Sequence, residues 1–561
     1  MLKVDGNRIF AETKTLNATL DNGIITSLVR KSDGKQLIQS NADKAIPLQL
    51  VYLGGEVVPL GGEVGDSIKC LPINDHYAEF RVESWNGDGV ISVYEDEKTG
   101  DLIVEPSGYA SRPGLRGVRW TIKGISNNLN LIAPFFQGIK LPLEDQLIRN
   151  SYWEWPHRWE AGMAILQEER GGFWIHCQDN RYRYKALQVG TADDPQCLGL
   201  ETQVYGPLDD KLSSGGIAWR INVYDGDWQV PAEKYRNWLS DAYNLDHAVR
   251  PDWIKDICFA ISWCPTDNEI LDALAELFAP EKVLLHIPNW RQDAYDENYP
   301  SYVPSEKGTE FIQKAQSMGF RTMPHFNSVD MDPTHPVYTY IRDFQYRSLD
   351  NKRVQGWTWF NGQVKPVPES NAARLRHRDK KTMIKVHPGL GMWRSILTEN
   401  VRSAVEALSL KLVFLDVTLC SWNLHNSLVD NTTSTEGMKL LISKVASIND
   451  GLVVGGEGRN EITMQDQGFS QVHLFLSWHQ NISLLERLES TGLCPLNEFL
   501  FGKWCRSFGY ANLGGHTHEQ YIRMKTHVGL GAIPTITIGS AKEIRQPNPA
   551  VKEMFDIAMQ K

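Results

Sequence analysis

Up to about residue 230, short apolar-and-polar runs are separated by turn residues. Leu16 to Leu20 passes through Asp21-Asn22-Gly23 into Ile24 to Val29, and Ser32-Asp33-Gly34 precedes Gln36-Leu37-Ile38. Asn-Gly and Asp-Gly tolerate positive φ, which two-residue hairpin turns need. Further strand-like runs are Ile46 to Leu53, Ala78 to Trp85, Val90 to Tyr94, Asp101 to Glu105 and Leu129 to Leu131. Gly172 to Cys177, Tyr184 to Val189 and Ile217 to Val223 continue the series. Regular strand spacing with few helical stripes predicts an antiparallel β-sandwich over residues 1–230. Asp227 to Tyr243 reads as a helix, and residues 231–252 as a helical linker ending at Pro251-Asp252-Trp253.

The rhythm then changes to strand and helix in alternation. Ile257 to Trp263, Val283 to Ile287 and Arg321 to Phe326 are apolar runs, with helices expected over Asp267 to Phe278 and Glu306 to Met318. Residues 329–390 show no clear period. Trp393, Ile396, Leu397, Val401, Val405 and Leu408 then recur at helical spacing as one apolar stripe. Leu412 to Leu415 is wholly apolar, as a strand buried on both faces should be. Thr433 and Glu436 have capping-box spacing ahead of Leu440, Leu441, Val445 and Ile448. Leu452 to Val454, Val472 to Trp478, Ser507 to Ala511 and Thr535 to Ile538 complete eight strands, with a closing helix at Ala550 to Met559. Eight alternating units over 253–561 predict a (β/α)8 barrel, with a doubly wound open sheet as the structural alternative. The chain is therefore multidomain, β followed by α/β.

Composition narrows the function. With 561 residues, a net charge of −10 and no long basic run, a nucleic-acid partner is not expected. No apolar stretch is long enough for a membrane span, and no signal-peptide pattern opens the chain. Cytoplasmic residence is the default expectation. The eight cysteines include no CxxC pair, so neither a structural zinc site nor a disulfide scaffold is expected. No metal and no cofactor are expected, and nothing in the sequence sets an oligomeric state. Eighteen tryptophans suit a carbohydrate partner, since flat rings pack on the apolar faces of sugars, although core packing claims most of them.

Barrel enzymes place reactive groups at the C-terminal ends of strands. Asp416 ends strand four and Glu457 follows strand five after Gly455-Gly456. Adjacent strands run about 4.8 Å apart, which allows the roughly 5 Å carboxyl separation of retaining glycosidases. One carboxyl must stay ionised to attack the anomeric carbon, and the other must hold a proton for the leaving oxygen. Trp263, Trp290, Asp293, His325, Asn327, Trp422, Arg459, Trp478 and His479 lie at or just beyond strand ends and are the candidate sugar-binding residues.

An Asp after strand four and a Glu after strand five resemble the retaining α-glycosidases of the α-amylase type. The sequence is more similar to endo-α-N-acetylgalactosaminidase-like hydrolases and α-galactosidase-like barrels. LDNGIITSLVRKSDGKQLI, within Leu16 to Ile38, resembles the opening of the galactose-mutarotase-like sandwich that precedes such barrels. LKLVFLDVTLCSWN resembles their nucleophile strand. The resemblance implies Asp416 as nucleophile and Glu457 as general acid/base of a retaining α-glycoside hydrolase. Two departures stand out. α-Galactosidase-like families carry an Asp after strand six, where Trp478-His479-Gln480 is read here, and α-amylases carry one after strand seven, where Gly509 to His518 has none.

Two rival readings remain. His516, His518 and Glu519, or Asp330, Asp332 and His335, are close enough in sequence to suggest a metal-dependent hydrolase. A non-catalytic carbohydrate-binding protein of the same fold is the other.

Overall fold

A computed structural model describes residues 1–41, 46–248, 250–360, 363–367, 381–474 and 482–560. The chain divides into two compact units, residues 1–242 with 349–351, and residues 243–348 with 352–561.

The N-terminal unit is an antiparallel β-sandwich. Leu2–Asp5, Arg8–Glu12, Leu16–Asp21, Ile24–Arg30 and Lys35–Gln39 form a five-stranded meander in chain order. Its Asn22-Gly23 turn has both residues at positive φ, as a primed hairpin turn requires. A ten-stranded and a six-stranded sheet follow. They approach closely where side chains are absent. A Cβ on Gly89 of the larger sheet would come within 2.6 Å of Leu48 on the smaller, and one on Gly108 within 2.9 Å of Val118. The sequence pattern passes over Leu115–Ile122 and Leu198–Gln203, both buried along their whole length. Such strands do not alternate, so period-two reading misses them. Gln229–Tyr243 is helical, as expected.

The second unit is a (β/α)8 barrel. Its strands are β1 (Phe259–Ile261), β2 (Val283–Ile287), β3 (Arg321–Asn327), β4 (Leu412–Asp416), β5 (Val453–Glu457), β6 (Gln467–Val472), β7 (Arg506–Gly509) and β8 (Thr535–Ile536). The order is β7-β6-β5-β4-β3-β2-β1-β8, all parallel, and a parallel bridge from Phe508 to Ile533 brings the ends together. An open doubly wound sheet has no such closure. The helices between strands start where short side chains take up free amides. Asp267 accepts from Glu269, Ser305 from Gly308, and Thr433 from Glu436. The stripe on Gly391–Leu408 buries Trp393, Leu397, Val401, Val405 and Leu408.

Two corrections matter for the site. Strand six is Gln467–Val472, ahead of the expected Val472 to Trp478, of which 475–478 lie outside the described residues. Its polar side chains hide it from an apolar-run search, yet each donates a hydrogen bond inside the barrel. Gln467 donates to Thr418 Oγ1 at 3.0 Å, Ser470 to Gln467 Oε1 at 2.8 Å, and Gln471 to Ser262 Oγ at 2.8 Å. The described residues of the aperiodic stretch after β3 include further strands. Asp330–Met331, Thr382–Lys385, Gly356–Phe360 and Gln363–Pro366 make a small antiparallel sheet beyond β3. Among the described residues no helix is long and apolar enough to cross a membrane.

Candidate active site

Leu412 to Leu415 are fully buried, so β4 is held rigidly by packing up to the acid that ends it. Leu415 pairs with Gly456 across the β4–β5 register, which sets Asp416 beside Glu457. Asp416 is 5% and Glu457 7% exposed. Val417 follows Asp416 at φ 66°, a costly conformation for a β-branched residue. The Val417 amide donates to Glu457 Oε2 at 3.1 Å. Thr418 Oγ1 donates to the Glu457 carbonyl at 2.7 Å, and Ser328 Oγ to the Asp416 carbonyl at 2.7 Å, fixing both strand ends.

The two carboxyls have unlike neighbours. The Tyr295 hydroxyl donates to Asp416 Oδ2 at 3.3 Å, and His325 Nε2 faces the same oxygen at 3.6 Å. Glu457 Oε1 meets His473 Nε2 at 2.6 Å. Burial, then the facing Glu457, pushes Asp416 well above the usual carboxylate range.

Around them lies a shell of buried polar groups. Lys385 donates to Asp330 Oδ1 at 3.1 Å and sits 4.0 Å from the Trp357 ring centroid. Burial raises Asp330 to about 6 against the pull of Lys385, so the pair is still ionised at neutral pH. Asp296, also buried and raised by burial, accepts from Trp359 Nε1 at 2.7 Å. Burial and then the Glu457 and Asp416 charges hold the Tyr510 phenol far above its ordinary range, so it stays a neutral donor or acceptor.

The expected residues are distributed unevenly. Trp263 reaches the site, half-buried at the end of β1 and edge-on to Tyr295 with centroids 5.3 Å apart. His325 reaches it through Asp416. Asn327 stands one step back, its amide donating to Asp330 Oδ2 at 2.9 Å. Asp293 is half-buried and accepts from Asn298 at 3.1 Å. Trp422 is half-buried against Tyr346. Trp290 and Arg459 lie in the interior instead. Trp290 is fully buried and donates to the His325 carbonyl at 2.9 Å, and Arg459 is fully buried with Glu498 at 2.6 Å. Both support neighbouring strands and present no surface to a ligand. Trp478 and His479 lie outside the described residues.

The metal-binding alternative finds no convergent set. His516 faces Glu543, His518 faces Glu486 and Glu519 pairs with Arg523. Asp330 is taken by Lys385, Asp332 accepts from Thr334, and His335 Nδ1 accepts from Val337. Among the described residues no three His, Cys, Asp or Glu side chains are grouped to hold an ion.

Sequence reasoning passes over His286, Tyr295, Asp296, Lys385, His473 and Tyr510. Two of these carry a signal in hindsight: His286 and Lys385 are polar interruptions of apolar strands, in Leu-Leu-His-Ile and Met-Ile-Lys-Val. His473 follows the corrected end of β6 and so occupies the strand-six position assigned above to Trp478 and His479.

The fold class is a β-sandwich followed by a (β/α)8 barrel whose mouth carries an acid pair. A profile described only as a domain of unknown function, DUF6259, matches residues 217–429. No curated protein matches. The ligand-free α-N-acetylgalactosaminidase NagBb of Bifidobacterium bifidum is similar in structure, with a TM-score of 0.64 at 12% identity, over 100% of this chain and 92% of that one. The GH36 α-galactosidase AgaA of Geobacillus stearothermophilus, in complex with raffinose, aligns with a TM-score of 0.50 at 10% identity, over 99% and 86%. The galactosidase domain of an α-galactosidase–sucrose kinase gives 0.50 at 10%, over 100% and 86%. At such identities the likeness is one of fold.

Proposed function

We propose that the chain is a retaining α-glycoside hydrolase, with Asp416 as nucleophile and Glu457 as general acid/base. The observation that carries this reading is the level placement of two buried carboxyls on adjacent parallel strands with different partners. Attack and leaving-group protonation need one ionised and one protonated carboxyl on the same sugar. Tyr295 and His325 are placed to stabilise an anion on Asp416, while His473 can pass a proton to or from Glu457.

Carbohydrate is the proposed substrate class. The solved proteins of similar fold are named as α-N-acetylgalactosaminidases and α-galactosidases, one of them holding N-acetylgalactosamine and one raffinose. α-Linked, galactose-configured sugars are therefore the first to test. The test is hydrolysis of a panel of α- and β-linked aryl glycosides, with the anomer of the first product read by NMR. An α-product from an α-substrate supports the reading. An inverted product, or no turnover across the panel, overturns it and leaves the carbohydrate-binding alternative.

A second assignment exchanges the two roles. The observation in its favour is that burial raises Asp416, the property of a proton carrier. Nucleophile rescue, described below, separates the two.

A further inference from the structure

A line of hydrogen-bonding groups crosses the ends of four consecutive strands and finishes on Asp416. The backbone N–H of Trp263, just beyond β1, donates to His286 Nδ1 on β2 at 3.3 Å. His286 Nε2 meets His325 Nδ1 on β3 at 3.1 Å. His325 Nε2 faces Asp416 Oδ2 on β4 at 3.6 Å, just beyond hydrogen-bond length, and is buried with no hydrogen-bond partner among the described residues.

The backbone amide sets the polarity of this line. An amide N–H can only donate, so His286 Nδ1 must present its lone pair. A neutral imidazole with a bare Nδ1 carries its proton on Nε2, so His286 donates to His325 Nδ1. The same logic moves one ring further and leaves the His325 proton on Nε2, aimed at the carboxylate. Both rings are buried, and burial holds His286 down at about 3 and His325 well below its ordinary value, so neither charges at neutral pH. Trp263 itself sits at φ 58°.

We propose that His286 and His325 form a neutral relay that locks the His325 Nε2–H onto Asp416 Oδ2, making both histidines positioning residues for the nucleophile. The catalytic part of this rests on the reading of Asp416 given above. The tautomer part does not. A wrong-way His325 would turn a lone pair toward the carboxylate and oppose its charge.

The experiment compares His286→Phe with His286→Gln. His286 lies 4.4 Å from the Phe414 ring and 6.4 Å from the Phe508 ring, so Phe is the better replacement if the role is packing. Gln is the better one if the role is the relay, because its Nε2 can stand where the ring Nε2 does and donate to His325 Nδ1. The other groups around Asp416 are common to both variants: Tyr295, Asp296, Asp330, Lys385, Glu457 and Tyr510, with Arg291 acting on His325.

In His286→Phe the acid limb of the kcat/KM profile should move up by about one pH unit, a tenfold smaller ionised fraction. Its kcat should fall at least tenfold, while His286→Gln should recover most of both losses. Equal effects, or Phe outperforming Gln, overturn the relay. Ring-15N spectra of the histidine-labelled full chain supply a readout that needs no substrate. His286 and His325 should both appear as the neutral Nε2–H tautomer from pH 5 to 8, with His325 losing that tautomer in His286→Phe. A titrating ring, or an Nδ1–H tautomer in the wild type, refutes it. A wild type inactive on every glycoside while these spectra hold would defeat the proposed function and leave the relay standing.

Discussion

Glu457 Oε2 accepts the backbone N–H of Val417 at 3.1 Å, so the residue next to one acid is hydrogen-bonded to the other. The bond ties the ends of β4 and β5 at the place where the two carboxyls must keep their separation. Val417 itself is held at φ 66°, in a region β-branched residues avoid.

Removing each acid should leave a different trace. Asp416→Ala should lower kcat by about 10⁴-fold or more, with partial recovery in azide or formate and a glycosyl adduct of the added anion. Glu457→Ala should retain turnover of aryl glycosides with good leaving groups and lose it on poor ones. Azide rescue of the Glu457 variant in place of the Asp416 one would establish the exchanged assignment.

Strain at Val417 predicts an anomalous stability effect. Changing a buried strand valine to glycine loses roughly 1.5–3 kcal/mol of burial and about 0.5–1 kcal/mol of chain entropy. Val413→Gly should show that full cost. Val417→Gly also releases about 1–3 kcal/mol of backbone strain, so its cost by urea unfolding should be smaller than that of Val413→Gly by about that amount. Equal losses at the two positions would mean that Val417 is not strained.

The raised Asp416 makes a pH prediction with a definite sign. A carboxyl whose folded value lies above its unfolded one binds more protons in the folded state, so its stabilising effect is complete in acid. The effect is lost as pH rises from about 4 through the raised folded value. Asp416→Asn removes that loss. Its Tm should exceed that of the wild type at pH 8, and the gap should narrow toward pH 4. A gap independent of pH would show that Asp416 is not raised.

Lys385 and Asp330 are both buried, and either alone would be an unpaired charge. Lys385→Met should cost about 3–5 kcal/mol in chemical denaturation. The double variant Lys385→Met with Asp330→Asn should cost less than Lys385→Met alone, since no charge is then stranded. Additive losses would place the two residues in separate networks.

Sequence alone carried the change from sandwich strands to alternating barrel units and the position of Asp416 at a strand end. Four apolar residues followed by Asp416 can be read directly, because a parallel strand covered on both faces tolerates no acid until it leaves the packing. The caps at Asp267, Ser305 and Thr433 are likewise local chemistry, written within a few residues of each helix start. Tertiary structure decided everything that depends on partners distant in the chain. Gln467–Val472 reads as polar and unstrandlike until Thr418 and Ser262, brought in from other strands, satisfy its amides. His286, His325 and Asp416 lie 39 and 91 residues apart in successive steps, and only the closed order of strands puts them in one line. Periodicity reports which face of an element is buried. It does not report which buried polar groups meet, because that is set by register between strands, and register is a property of the folded barrel.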